Sequence, residues 1–190
     1  MSESTPAAGT DLDVALVLMP YAEVRRPSIA LGILKAALGG AGIRSAVEYA
    51  NLSFLEQIGC EAAAVVQSGR VDLAVGEWTF AGAAFPERPS TPDDLFREPR
   101  RHAQSHWLDV RSGPAFAEVL RALRDLAPRF VDETARAVLA RHPRVVACSS
   151  TFEQHCASLA LLRRVKQLDP SVVTLLGGAN CEAEMGWATL

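Results

Sequence analysis

This chain of 190 residues is as informative in what it lacks as in what it carries. It has no excess of positive charge. The formal net charge is −3, so there is no broad basic field for nucleic acid. No apolar run approaches the roughly 20 residues of a membrane span. The opening residues, MSESTPAAGTDLD, hold neither a basic segment nor an apolar stretch and do not read as a secretory signal. Residues 1–12 are expected to form a disordered tail, and a cytoplasmic protein is the default expectation. Cysteine is sparse: Cys60, Cys148, Cys156 and Cys181 include no C-x-x-C pair, which removes the zinc reading. Nor do they include a C-x-x-x-C-x-x-C set to hold an iron–sulfur cluster. Reduced thiols fit the cytoplasm, and Cys148, inside an apolar run, reads as a small buried hydrophobe. G-x-G-x-x-G and G-x-x-x-x-G-K-[ST] are both missing, so dinucleotide and P-loop readings fail.

What is present suffices for one domain with a real core: 49% of residues are hydrophobic. The chain is organised around the stretch from Arg144 to Met185. Val145 to Cys148 is a short apolar run of the kind buried on both faces of a sheet. Ser149, Ser150 and Thr151 end it. Ser158, Leu159, Leu161, Leu162, Val165 and Leu168 recur at helical spacing, and Asp169–Pro170 stop that helix. Val172 to Leu176 is the next apolar run, broken by Gly177-Gly178-Ala179-Asn180. This is a βαβ unit, with parallel strands and a right-handed crossover.

Earlier in the chain, Val14 to Met19 reads as a strand ended by Pro20. Pro27 and Ser28 are placed to start a helix whose apolar face is Ile29, Ile33, Leu34, Ala37 and Leu38, closed by Gly39, Gly40 and Gly42. Ser45 to Tyr49 reads as a second strand, and Asn51 as the cap of a helix over Leu52 to Ile58. Cys60 to Phe85 is expected to be helical, with Gly69 and Gly76 as weak points. Residues 86–114, rich in proline and charge, read as a long, partly disordered surface insertion. Phe116 to Val138 reads as a long amphipathic helix that Pro128 should kink or divide.

The expected fold class is α/β: a flavodoxin-like, Rossmann-like doubly wound parallel sheet over residues 13–190. The first strand lies beside the Val145 strand, and the sheet reverses direction between them. A domain of order 2-1-3-4-5 needs one more strand, so the chain reads as cut before its last strand, with the fourth presenting an unpaired edge.

In such sheets ligands sit outside the carboxyl ends of the strands, at the switch point. Three loops should converge there: Met19 to Ser28, Ser149 to His155 and Gly177 to Glu182. The candidate cofactor-binding residues are Pro20, Ser28, Ser149, Ser150, Thr151, Gln154, Gly177, Gly178, Ala179 and Asn180. The hydroxyls can hydrogen-bond a polar cofactor, the glycines admit a close approach to the backbone, and a helix beginning near Asn180 offers free N–H groups. Arg25 and Arg26 are placed to pair with a phosphate. Plainer readings stand beside these: Gly177–Gly178 as a tight turn, Ser149 to Thr151 as a helix cap, and the arginines as a solvated pair. His155–Cys156 does not read as a nucleophile–base pair, because adjacent helical residues point apart. His102 and His106, at i, i+4 in a proline-rich segment, lack further metal ligands. Glu182 and Glu184 read as surface carboxylates.

The blocks VALVLMPYAEVRRPSIALGILKAALGGAGI, YANLSFLEQIG, GEWTFAGAAF, SSTFEQHCASLALLRRVK and LLGGANCEAEMG together resemble one family: the cobalamin-dependent radical SAM proteins of ribosomal peptide (RiPP) maturation, C-methyltransferase type. The resemblance runs in order from about Val14 to Gly186, apart from the insertion. It implies a cobalamin-binding-like domain that holds cobalamin over a radical SAM barrel. In the family that barrel follows in the same chain, and it holds the 4Fe-4S cluster and S-adenosylmethionine. The implied substrate is a precursor peptide methylated at an unactivated carbon. No barrel cysteines occur here, so this chain is not expected to be catalytic alone. D-x-H-x-x-G, which supplies a lower histidine ligand to cobalamin in many domains, is also missing, as it generally is in radical SAM relatives. The alternative expectation is a non-enzymatic α/β domain that docks a partner, with Trp78 and Phe80 in an interaction surface.

Overall fold

The structure is a computed structural model that describes residues 11–67, 74–88 and 114–189. Four short strands, β1 (Val14–Val17), β2 (Ser45–Glu48), β3 (Val145–Ser149) and β4 (Val173–Gly177), form one sheet in the order β2-β1-β3-β4. Every pairing is parallel. Because the strands are parallel, the connections cross over the sheet as helices. The helices are α1 (Ile29–Gly40), α2 (Ala50–Gln67), α3 (Val75–Ala84), α4 (Pro114–Leu139) and α5 (His155–Leu168), and α6 (Ala183–Thr189) follows β4. This is the doubly wound pattern expected of the flavodoxin-like class, with the switch point between β1 and β3.

Alternation along β1 divides the interior in two. Ala15 and Val17, with Val146 and Cys148 of β3, face a large core built by α2, α3, α4 and α5. Phe54, Phe80 and Phe130 meet at its centre, with ring centroids 4.7–6.3 Å apart in edge-on and tilted pairs. Leu16 and Leu18 face the other way, into a small cluster with Ala22 and Leu31 of α1.

Several expectations shift. The anticipated apolar face of α1 is not its buried one: Leu31 is buried, while Ile29, Ile33 and Leu34 are 79%, 64% and 48% exposed. The Ser28 hydroxyl accepts the Leu31 N–H at 3.3 Å. That cap fixes the start of the helix and turns Leu31 inward. Asn51 does not cap α2, which begins at Ala50. Its amide instead donates to the Glu23 carbonyl at 3.3 Å, and its own N–H donates to Leu18. The expected helix over 60–85 is two pieces within the described residues, α2 to Gln67 and α3 from Val75, and Gly59 breaks α2 with φ 78°. Pro128 does not divide α4, which runs unbroken across it. Ala127, Phe130 and Val131 are buried around that point, so packing holds the helix together where propensity would stop it.

α5 begins three residues earlier than the apolar periodicity suggested, at His155. Residues 1–10 and 89–113, which include most of the expected tail and insertion and both His102 and His106, lie outside the described residues, as does Gly69. Leu12 is buried and donates its N–H to Arg141 at 3.1 Å, so the folded unit has already begun there.

Candidate functional site

The three loops do meet at the carboxyl ends of β1, β3 and β4, and they bind one another. The Ser150 N–H donates to the Gly177 carbonyl at 2.7 Å, and the Asn180 N–H donates to the Ser150 carbonyl at 3.3 Å. The Asn180 side-chain amide reaches the Ser150 hydroxyl at 3.0 Å and also the Thr151 carbonyl. Gly178 has φ +107°, a conformation L side chains rarely adopt. A Cβ there would overlap the Ser150 carbonyl oxygen, with Ser150 C and N each 3.0 Å away. The close backbone approach at Gly178 is therefore made by the protein's own β3 loop. Gly177 differs: a Cβ there meets nothing within 4 Å.

The helix start expected near Asn180 is a 3-10 turn over Ala179–Cys181, and α6 follows from Ala183. Its N–H groups are not free in the way anticipated. Those of Asn180, Cys181 and Glu182 go to Ser150, Gly178 and Ala179.

A second set of contacts fills the floor of the site. Neither α3 nor α5 has a side-chain cap from its own N-cap residue, Ala74 or Gln154. For α5 the cap comes from α3 instead. The Glu77 carboxylate, in the first turn of α3, accepts the N–H of His155 at 3.0 Å and that of Cys156 at 2.6 Å. The Glu153 carboxyl, just before α5, lies near the backbone N–H groups of Gly76 and Val75 at the start of α3, which oppose the rise of its pKa. Burial raises the Glu153 carboxyl above its ordinary value, and the nearby Glu77 charge adds to this. One of its oxygens is buried without a partner. Glu153 adopts φ +60°, and its carbonyl accepts the Tyr21 N–H at 3.2 Å, joining the first loop to the second.

The negative charge that a helix N-terminus favours is thus already supplied to α5 from inside the protein. Burial, with the Glu77 carboxylate adding to it, pushes the Cys156 thiol up to about 12, and burial does the same to Cys148. Neither thiol is placed as a nucleophile. His155 lies between two hydroxyls, with Nδ1 3.3 Å from Ser150 Oγ and Nε2 3.1 Å from Thr189 Oγ1. It ties α6 to the β3 loop rather than activating Cys156.

The ten sequence candidates therefore fall into three groups. Pro20, Ser150 and Gln154 are buried. The Gln154 amide donates to Thr151 Oγ1 at 3.0 Å, and its Oε1 is buried without a partner. Ser28 caps α1, and Asn180 latches the two loops. Ser149 and Thr151 are half-buried, while Gly177, Gly178 and Ala179 are exposed, forming an open rim. Arg25 and Arg26 are also exposed, beside Glu23, whose carboxylate accepts the Arg25 N–H at 2.8 Å. Trp78 and Phe80 are core residues: Arg124 stacks 4.4 Å above the Trp78 ring, and Phe80 is fully buried.

Sequence reading passed over Glu77 and Glu153. Glu77 sits in an apolar, aromatic stretch and Glu153 between a phenylalanine and a glutamine, with no local pattern joining residues so far apart in the chain. Their one local signal is the lack of Ser, Thr, Asp or Asn at the N-caps of α3 and α5.

A groove of about 810 Å³ lies at the opposite end of the sheet, lined by Val14, His142, Arg144 and Val173 among others. A small cavity of about 10 Å³ lies beneath the first loop, between Pro20, Tyr21, Asn51 and Phe54. Neither is at the rim. Among the described residues no three His, Cys, Asp or Glu side chains gather to hold a metal ion, and no helix is long and apolar enough to cross a membrane. No family model, curated protein or solved structure matches the chain.

Proposed function

We propose that this chain is a cobalamin-binding-like domain that holds the cofactor for a radical SAM C-methyltransferase acting on a ribosomally made precursor peptide. One observation carries the reading from this chain's side. At the switch point of a parallel sheet, Gly177 to Ala179 offer an open backbone rim flanked by the half-buried hydroxyls of Ser149 and Thr151. The ordered resemblance of its sequence blocks supplies the identity of the ligand. The residues present suit contact with a broad polar ligand across the rim rather than insertion of a group beneath it, because Ser150 and Asn180 are packed and hydrogen-bonded against its inner side. In this reading the domain supplies binding and orientation, and the methyl transfer and radical chemistry belong to the cobalamin and to the barrel's S-adenosylmethionine and 4Fe-4S cluster.

The test is uptake of hydroxocobalamin by the purified chain, read by equilibrium dialysis and by a shift of the visible spectrum. Retention that falls on Gly177→Val, with the fold unchanged by circular dichroism, supports the reading. No retention at high micromolar cobalamin counts against it.

A second reading, a partner-docking α/β domain without a small ligand, is favoured by the exposed apolar side chains of α1. A chain that never retains cobalamin but associates through α1 would favour it.

A further inference from the structure

Both ring nitrogens of His155 are in use, and the groups at either end of the series fix where its proton sits. The Asn180 side chain lies against the Thr151 carbonyl, so its amide nitrogen, not its oxygen, is turned that way. The same nitrogen donates to Ser150 Oγ at 3.0 Å. Ser150 is fully buried, and among the described residues its hydroxyl meets only Asn180 and His155. The Ser150 hydrogen therefore goes to His155 Nδ1. Nδ1 is then an acceptor, and the ring proton sits on Nε2, which donates to Thr189 Oγ1 at 3.1 Å. The Thr189 hydroxyl passes its own hydrogen to the Met185 carbonyl at 2.8 Å. Every donor in the series meets an acceptor, from the β4 loop through the β3 loop to α6.

We infer that neutral His155 latches α6 and the β4 loop to the β3 loop, and that taking up a proton releases them. Histidine is the side chain that ordinarily changes charge between about pH 5 and 8. A proton added to this ring must go on Nδ1. Ser150 Oγ then faces two donors, and its own hydrogen is left without an acceptor in a buried position. The elements that meet at Ser150 relieve this by parting. α5 stays, because Glu77 caps it and Ala157, Leu161 and Val165 anchor it in the core. α6 and the 3-10 turn before it have no buried residue, so they move.

The charges around the ring do not prevent its protonation. Glu77 from α3 and Glu153 from the β3 loop stand at the start of α5 and attract a positive ring, while the helix N-terminus opposes one. Tyr21 from the β1 loop, Cys156 on α5 and Cys181 in the 3-10 turn are all raised by burial and bring no charge. Glu182 and Glu184, at the start of α6, are exposed. The consequence for Gly177 to Ala179 rests on the function proposed above: once α6 and the β4 loop part from Ser150, the rim loses its fixed shape and acid lowers cobalamin retention.

Hydrogen exchange of the whole chain, corrected for the intrinsic rate at each pH, tests the latch with no ligand present. Amides of 179–189 should exchange at least about tenfold faster at about pH 5 than at about pH 7.5, with those of α5 little changed. His155→Gln, which takes up no proton in this range, should remove the difference. Thr189→Val, which cuts the link to α6 but leaves the ring, should exchange at the higher pH as fast as the wild type does at the lower. Nitrogen NMR of imidazole-labelled protein at the higher pH should place the proton on Nε2. A proton on Nδ1 overturns the inference, as does equal protection of 179–189 at both pH values. So does an acid response that persists in His155→Gln. A chain that retains no cobalamin at either pH would count against the proposed function alone, because the exchange of α6 still decides the latch.

Discussion

Glu77 of α3 caps the helix that begins just after Glu153. Glu77 belongs to α3 and holds the first two N–H groups of α5. Glu153 stands at the entry to α5 and lies against the first N–H groups of α3. The Glu77 cap fixes the β3 loop against α3, and the Tyr21 N–H donated to the Glu153 carbonyl also fixes the β1 loop. The geometry of the switch point rests on it.

Glu77→Ala should therefore cost about 1–2 kcal/mol of stability, the value of a lost helix cap with its charge. Urea unfolding followed by circular dichroism measures it. Glu77→Gln, which keeps one acceptor, should cost less. Loss of the cap should also raise the reactivity of Cys156 in the native state.

Glu153 gives the stability a pH dependence of unusual sign. Burial is the largest influence on its carboxyl and raises its folded pKa above the ordinary 4.5. A raised folded pKa means that the folded state binds the proton more tightly than the unfolded state. Its contribution is then fully present below about pH 4.5 and is lost as pH rises through the folded value. Asp132 works in the opposite sense. Hydrogen bonds from Arg136 and then Arg164 hold it below the usual carboxylate range. Its contribution is present above the ordinary 3.8 and is lost as pH falls. Comparing wild type with Glu153→Gln by thermal melts between pH 4.5 and 7 isolates the first effect. The wild type should lose stability relative to the variant as pH rises.

The two glycines of the β4 loop, Gly177 and Gly178, should behave differently. Gly178→Ala forces a Cβ onto the Ser150 backbone at a positive φ and should destabilise by about 1–3 kcal/mol. Gly177→Ala adds a methyl to open space and should change stability by less than about 0.5 kcal/mol. Equal losses in denaturant unfolding would mean that the β3 and β4 loops are not clasped as described.

Gly76 provides a third check on the same clasp. A Cβ there would stand 2.7 Å from the Glu153 Cβ and 2.8 Å from Tyr21 Cδ2. Gly76→Ala should lower stability by about 1–3 kcal/mol although alanine is the better helix former. The melting temperature decides between propensity and packing.

Thiol labelling reads burial directly. At pH 8, Cys60, which is exposed, should react first with iodoacetamide. Cys148 and Cys156, both raised to about 12, should react only after denaturant is added. Mass spectrometry of the labelled peptides gives the order.

The sequence by itself determined the sheet and its order. The apolar runs at Val14, Ser45, Val145 and Val172 and the helical periodicities between them encode local geometry, and parallel strands joined by crossovers leave few topologies. It also placed the three loops at one end and identified Ser28 as the start of α1, since a cap acts within one turn of the chain. It did not determine what those loops touch. Gly177 and Gly178 are alike in sequence, and only the proximity of Ser150 makes one of them indispensable. Which side of α1 turns inward was decided by the sheet beneath it, because a helix apolar on every side carries no inward direction of its own. The pairing of Glu77 with α5, across 78 residues to His155 and 79 to Cys156, was decided by tertiary structure alone: a carboxylate and a helix end find each other through packing, and nothing local in the chain records it.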